Sequence, residues 1–341
     1  MRVDGVRRRC RTSLRGTCAT GRTRRRTVRN VIYTTPGGAV EHAAALLGSL
    51  AQREVPLAPL TTYRVGGAAR LFVRIASLAD LEQIATAHRA TGLPVLVIGR
   101  GSNLLVADSG FNGIAVTFGE VATEIGIAGL DVVAGGFALL PVLARRSAAV
   151  GLTGLEWAVG VPGSVGGGVR MNAGGHGSDT AASLVDVEIF DLRLGQRCRK
   201  GADALGLRFR GSDLADHEVV LNATFRLAPG DVASSEREIT EIVRWRREHQ
   251  PGGQNAGSVF VNPFPGALAA GQVIDELGLR GARIGTAFVS DKHANFIQAS
   301  EGGSSADVHA LIEMITERVW SERGIRLRSE IRLVGFDGAE R

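Results

Sequence analysis

Ser258 stands in the run Ala256-Gly257-Ser258-Val259-Phe260-Val261-Asn262-Pro263, with a glycine before it and an apolar pair after it. A serine nucleophile needs a histidine within hydrogen-bond reach, often on a Gly-x-Ser-x-Gly elbow, and the sequence offers neither. Its hydroxyl therefore reads as a proton donor or a ligand contact, although a Gly-Ser pair also suits an ordinary turn. Two further groups keep it company: Arg210 in an isolated Phe-Arg-Gly-Ser segment, and a lone Glu330 near the C-terminus.

Two glycine-rich loops lie upstream. The first, Gly99-Arg100-Gly101-Ser102-Asn103-Leu104-Leu105, follows an apolar stretch and adds hydroxyl and amide donors to a chain that can approach a ligand closely. Such a loop can cradle a diphosphate through backbone N–H groups. It meets neither the Gly-x-Gly-x-x-Gly nor the Gly-Lys-Ser/Thr pattern, so Rossmann and Walker readings fall away. The second, Gly160–Gly177, holds eight glycines in eighteen residues, with Asn172 and His176 among them. That density is costly in conformational entropy and suggests a backbone wrapped around a large ligand. Together the loops point to a dinucleotide-sized cofactor.

The elements around these loops follow from apolar periodicity and caps. A helix-like stretch at Val40–Arg53 precedes a turn-rich segment, Ala58–Arg70, and a strand at Leu71–Ile75. Ser77 and Asp80 form a capping box for a helix that ends near Gly92. Pro94–Ile98 reads as a strand leading straight into the first loop, which makes a small α/β unit. Residues 113–135 read as strands and Phe137–Ala149 as a helix. Strands follow at Leu184–Asp191 and Glu218–Leu227. A helix capped at Ser235 with Glu238 runs to about His249, where Pro251 stops it. Gly266–Gly278 gives a short helix. A last helix starts near Ser304 with the stripe Val308, Leu311, Ile312, Ile315 and Val319, before a closing strand at Ile325–Val334. No internal repeat is visible.

Charge is unevenly spread. Residues 1–30 carry eleven arginines and one aspartate, a charge of +10 against +6 for the whole chain, so residues 31–341 carry −4. The body therefore shows no phosphate-backbone footprint. The arginine-rich start is expected to be disordered and has no secretory apolar core. No apolar run is long enough to span a bilayer. Of the three cysteines, Cys10 and Cys18 lie in the N-terminal segment. Cys198 is alone in the body, which excludes an internal disulfide there and a zinc-binding cysteine cluster, and suits a reducing cytoplasm. No metal site is expected.

Taken in order, Thr62-Tyr63-Arg64-Val65-Gly66-Gly67, the loop at 99–105, Val161-Pro162-Gly163-Ser164-Val165-Gly166-Gly167, Met171-Asn172-Ala173-Gly174, the serine motif, Lys292-His293-Ala294-Asn295-Phe296 and Leu327-Arg328-Ser329-Glu330 resemble the UDP-N-acetylenolpyruvoylglucosamine reductase family over about residues 58–335. The resemblance implies an FAD- and NADPH-dependent oxidoreductase acting on a CH–CH group in peptidoglycan precursor synthesis. The fold it implies is α+β: an FAD-binding part of the vanillyl-alcohol oxidase and p-cresol methylhydroxylase type, made of two α/β subdomains, and a C-terminal substrate domain. Implied domains are a basic extension over 1–35, FAD-binding subdomains at 36–118 and 119–230, and a substrate domain at 231–341. Ser258 matches the family's proton donor, Arg210 the group that holds the enolate and carboxylate, and Glu330 the assisting carboxylate. Hydride from reduced flavin N5 leaves enolate character beside a carboxylate, and such a set suits that chemistry. FAD contacts are implied for Tyr63, Gly66, Gly67, Gly99, Arg100, Gly101, Ser102, Asn103, Leu104, Gly160, Pro162, Gly163, Ser164, Gly166, Gly167, Asn172 and Gly174. Substrate contacts are implied for Asn262, His293 and Lys292.

Three positions depart from the family pattern: Phe209 for a tyrosine, Val261 for a lysine, and His176 for a tyrosine. Arg170 and Lys292 are candidates to supply the missing positive charge. The tyrosines Tyr33 and Tyr63 both lie far toward the N-terminus, so the resemblance implies the family's shorter form, without a tyrosine-bearing loop over the substrate. It also implies a cytoplasmic protein, a monomer, with a UDP-sugar enolpyruvyl ether as its partner and neither membrane nor nucleic acid bound by the folded part. Two alternatives stay open: an FAD-dependent alcohol or sugar oxidase on the same fold, for which His176 is the candidate covalent flavin link, and a flavin- or nucleotide-binding protein whose basic arm touches nucleic acid.

Overall fold

The computed structural model describes residues 36–264 and 266–336. The expected disordered extension, with Cys10, Cys18 and Tyr33, lies outside the described residues.

The first unit is a four-stranded sheet flanked by helices. Its strands are β1 (Gln52–Pro56), β2 (Ala68–Ile75), β3 (Val95–Val97) and β5 (Phe111–Phe118), in the order β1-β2-β5-β3. β2 and β3 run parallel to β5, and β1 is antiparallel to β2. The connection from β2 to β3 is helix α2 (Leu78–Thr91), with the expected capping box at Ser77 and Asp80 and a left-handed Gly92 at its end. Helix α1 (Pro36–Leu47) packs against it. The sequence pattern runs this first helix through to Arg53, but it ends at Leu47 and the chain turns into β1. Polar residues at 52–54 suit that exposed edge strand.

The second unit is an antiparallel sheet of β6 (Ile125–Ala128), β7 (Asp131–Gly135), β8 (Leu184–Asp191), β9 (Gln196–Gly201) and β10 (Glu218–Arg226), ordered β9-β8-β10-β7-β6. Helices α3 (Leu140–Ala148) and α4 (Val165–Arg170) share its core with Trp157, Leu205 and Phe225. Helix α5 (Val232–His249) begins three residues before the expected Ser235. Asp231 caps it, accepting from Ser234 N, while Ser235 is buried and donates to Glu156 at 2.5 Å. Although α5 falls in the region assigned by sequence to a substrate domain, its buried Ile239 and Ile242 belong to the second core.

The third unit wraps α6 (Ala270–Glu276) and α7 (Ser305–Arg323) around a small sheet of β11 (Arg283–Ile284), β12 (Ala287–Val289) and β13 (Ile297–Ala299). All five residues of the α7 stripe are buried, each contributing about 1.5–3 kcal/mol of transfer free energy. The short helix expected from Gly266 starts only at Ala270, after a turn closed by Phe264 and Leu268. The expected closing strand shrinks to β14 (Arg332–Val334). It leaves its own unit and pairs in parallel with β4 (Leu104–Val106), the strand immediately after the first glycine loop.

Candidate active site

The β4–β14 pairing fixes the first glycine loop to the end of the chain. Asn103 Nδ2 donates to the Glu330 carbonyl at 2.9 Å, and Arg332 N donates to the Asn103 carbonyl at 3.0 Å. Glu330 is tied in turn to the serine motif, its N donating to Val259 O at 2.7 Å while Val261 N donates to Arg328 O at 2.9 Å. Asn295 clamps the same motif from behind. Its Oδ1 accepts from Phe260 N at 2.9 Å and its Nδ2 donates to Phe260 O at 2.8 Å.

Arg210 reaches this assembly from the second unit, on a non-glycine residue with φ +57°, a strained conformation that must be held by its surroundings. Its Nη1 donates to the Gly174 carbonyl at 2.8 Å, and its Nε lies 3.0 Å from Glu330 Oε2. The charges meet, yet the buried Nε–H is not aligned on that oxygen as a hydrogen bond. Burial pushes the Glu330 carboxyl above its ordinary value, opposed by Arg210 and Arg328. Favouring the protonated form in this way suits a carboxyl that donates rather than only accepts.

Ser258, Arg210 and Glu330 all line one cleft of about 730 Å³. Gly99, Arg100, Gly101, Ser102, Asn103, Leu104, Gly160, Pro162, Gly163, Ser164, Gly167, Gly174 and Asn262 line it too. The other candidates do not. Tyr63 is fully buried in the third core with no partner for its hydroxyl. Gly66 and Gly67 pack against Val106 and Asp108 carbonyls, where a Cβ would stand 2.3 Å away. Gly166 lies more loosely against the Gly136 carbonyl, where a Cβ would stand 3.0 Å away. Asn172 faces a smaller neighbouring cavity and bonds Asp179, Arg208 and Ala181. Lys292 turns outward to cap α5, its Nζ donating to Arg247 O at 2.5 Å. His293 packs on Phe296, its Nδ1 accepting from Asn295 N.

Other cleft residues escaped the motif reading. Arg332 lies two residues beyond Glu330, and a period of two puts such residues on one face of an extended chain. Arg332 bonds Asp216 at 2.8 Å and Arg170 pairs with the same carboxylate. Trp157, Trp245, Arg246 and Gln250 also line the cleft, brought there by packing that no local pattern announces.

The donor set fits a bound dinucleotide such as FAD. Among the described residues, no main-chain carbonyl accepts from the N–H groups of residues 99–103, leaving a row of amides at the cleft. Gly101 is there because φ is +58° and a Cβ would sit 2.1 Å from Leu60 O. Thr62 Oγ1 and Trp157 Nε1, on residues that line the cleft, are buried without protein partners.

Comparison with known proteins agrees with this geometry. Residues 69–199 match the FAD binding domain family, and residues 249–334 match the C-terminal domain of UDP-N-acetylenolpyruvoylglucosamine reductase. The enzyme of that name from Heliobacterium modesticaldum is 40% identical over 295 residues, covering 86% of this chain and 93% of its own. The chain belongs to the UDP-N-acetylenolpyruvoylglucosamine reductase family. The Rubrobacter xylanophilus reductase is 39% identical over 84% of this chain and 95% of its own. The crystal structure of the Thermus caldophilus reductase superposes with a TM-score of 0.72 at 32% identity, covering 83% of this chain and 98% of that one. Family membership, the mixed α and β fold and the FAD-binding domain expected from the motifs are thus borne out. No helix among the described residues is long and apolar enough to cross a membrane.

Proposed function

We propose that this chain reduces the enolpyruvyl double bond of UDP-N-acetylglucosamine enolpyruvate to give UDP-N-acetylmuramate, with NADPH as reductant, in the cytoplasm. The observation that supports it best is the meeting of Ser258, Arg210 and Glu330 from three distant segments at a cleft that also carries both glycine loops. Residues 99–104 and 160–167, with Gly174, would hold FAD. Bound FAD supplies two-electron chemistry, taking hydride equivalents from NADPH and delivering them to the substrate.

The chain's own groups do the rest. Arg210 binds the substrate carboxylate and balances the negative charge that grows on it as the double bond is reduced. Ser258 Oγ hands its proton to the carbon beside that carboxylate. Glu330, held toward its protonated form by burial, hydrogen-bonds the developing enolate. Asn262 is the substrate contact that lines the cleft; its Oδ1 accepts from Ala270 N at 3.0 Å and so holds the side chain still. The units at 36–118 and 119–230 would enclose FAD, with 231–341 closing over the substrate. Among the described residues the one tyrosine, Tyr63, is buried, which supports the shorter form of the family with no tyrosine over the cleft. The folded part acts as a monomer without nucleic acid.

The test is NADPH oxidation by the FAD-loaded protein with and without the enolpyruvyl substrate. Turnover that depends on that substrate supports the proposal. Oxidation of alcohols or sugars by oxygen, with no response to the enolpyruvyl ether, would replace it with the oxidase alternative.

A further inference from the structure

The C-terminal segment that carries Glu330 is tied to all three units. Arg332–Val334 pairs with β4 of the first unit, and the serine motif of the third bonds Arg328 and Glu330 through the main chain. Among the described residues two ion pairs join the segment to the second unit, and both land on the loop between residues 206 and 217. Glu330 Oε2 lies 3.0 Å from Arg210 Nε, and Arg332 Nη2 lies 2.8 Å from Asp216 Oδ1. The polarity alternates: the segment brings the acid to the first pair and the base to the second. Between them Ile331 is buried in the third core, as the period of two along an extended chain requires.

Asp216 serves two cations at once. Arg170, in the last turn of α4, pairs with the same carboxylate. Arg170 is itself tied to that loop, its Nη1 donating to Ala215 O at 3.1 Å and its carbonyl accepting from Ser212 Oγ at 2.8 Å. Partial burial would raise the Asp216 carboxyl, yet Arg332 and Arg170 hold it below its ordinary value. Burial and the closeness of Arg332 pull Arg170 down. The carboxylate thus stands between two guanidiniums that would otherwise repel each other.

Partly exposed ion pairs add little to stability, but this arrangement discriminates. A slip of the segment by two residues keeps every side chain on its own face. In one direction it sets Arg332 against Arg210, and in the other Glu330 against Asp216, so like charges oppose both. The ladder with β4 pairs Arg332, Leu333 and Val334 with Leu104, Leu105 and Val106, and aliphatic partners cannot reject a slip by charge.

We propose that Asp216 is a positioning residue: through Arg332 it fixes the register of the C-terminal segment, and so sets the Glu330 carboxyl against Arg210 in the cleft. Its effect on turnover rests on the function proposed above, while the register is a property of the fold.

Two measurements on the FAD-loaded protein test this, in wild type, Asp216→Asn, Asp216→Glu, Glu330→Gln and the double variant D216N/E330Q. Amide exchange reads the register without substrate. Arg332 N–H, which donates to Asn103 O, should exchange about 5-fold faster in D216N and close to the wild-type rate in D216E. Stopped-flow absorbance reads the consequence. NADPH should reduce the flavin of D216N at the wild-type rate, while reoxidation by the enolpyruvyl substrate slows about 10- to 100-fold and recovers in D216E. Because Asp216 acts through Glu330, D216N should add little to the slowing once E330Q is present. Either unchanged exchange or unchanged reoxidation in D216N overturns the proposal. So does equal slowing of both half-reactions, or a D216N effect of full size on top of E330Q, which would give Asp216 another route of action. Failure of the parent function reads differently: wild-type flavin would then not be reoxidised by the enolpyruvyl substrate, and exchange at Arg332 would still decide whether Asp216 sets the register.

Discussion

Replacing Asn295 with alanine should loosen the loop that carries Ser258 without altering any side chain that lines the cleft. Its side chain is 4% exposed and makes two hydrogen bonds, both to the main chain of Phe260, which is itself 1% exposed. Alanine strands one N–H and one C=O in a place that water does not reach. Each orphaned buried group costs about 1–3 kcal/mol, so the pair costs roughly 2–4 kcal/mol if the motif relaxes partly. The third bond, from Val259 N to the Asn295 carbonyl, is main-chain and survives, so the motif should fray rather than detach. Hydrogen exchange reads this directly. Phe260 N–H loses its acceptor, and a local cost near 2 kcal/mol corresponds to about 30-fold faster exchange at that amide. Amides in β8 and β10, in a different core, should keep their rates. Asn295→Asp is the informative partner, because its carboxylate can still accept from Phe260 N but sets an oxygen against Phe260 O. It should be at least as damaging as alanine. Wild-type exchange at Phe260 in N295A would refute the clamp and make the two side-chain bonds incidental.

Ser258→Ala should leave flavin reduction by NADPH nearly intact and slow the second half-reaction by about 10²–10⁴-fold; stopped-flow traces showing equal slowing of both halves would make Ser258 structural. Glu330→Gln tests the raised carboxyl. Because burial lifts the folded value above the usual 4.5, the folded chain holds a proton that the unfolded chain has released. The stability this group contributes is complete below about pH 4.5 and is lost as pH climbs through the folded value. Urea unfolding across that window should therefore show wild type losing stability relative to E330Q as pH rises, and the opposite slope would sink the assignment. Gly101→Ala forces a Cβ against Leu60 O and Thr61 Cα at φ +58°, with an expected cost of about 3 kcal/mol. Flavin retention after gel filtration should collapse, and an FAD-replete G101A would show that the loop does not need glycine.

Most of the order of elements was legible because the signals are local. Ser77 with Asp80 and Gly92 bracket α2, and the α7 stripe buries as its spacing requires. Errors fell where tertiary context overrides propensity. The α1 pattern runs on past Leu47, yet the edge of a sheet claims residues 52–56. Asp231 wins the cap of α5 over Ser235, whose hydroxyl is taken by buried Glu156. The catalytic candidates were found by motif and resemblance and do share the cleft. Lys292 and His293 come from a motif in which Asn295 clamps the serine loop, and Tyr63 and Gly66 pack behind the cleft that Thr62 of their own motif lines. Arg246 was invisible for the opposite reason. A lone arginine at a helix end looks like a solvated charge until the fold half-buries it against the cleft.

The parallel pairing of Leu104–Val106 with Arg332–Val334 joins residues 228 positions apart. A chain emerging from the ribosome at about 5–20 residues per second spends roughly 10–45 s between making the two partners. Throughout that interval the first glycine loop has its sheet beneath it, but neither the Asn103–Glu330 tie nor the strand that anchors it. Contacts of such long range are also among the last to repay their loop-closure entropy. The cleft that this loop lines is therefore completed late in the life of each molecule. A chain shortened by its final strand would keep both glycine loops in sequence and lose the frame that makes them one receptor.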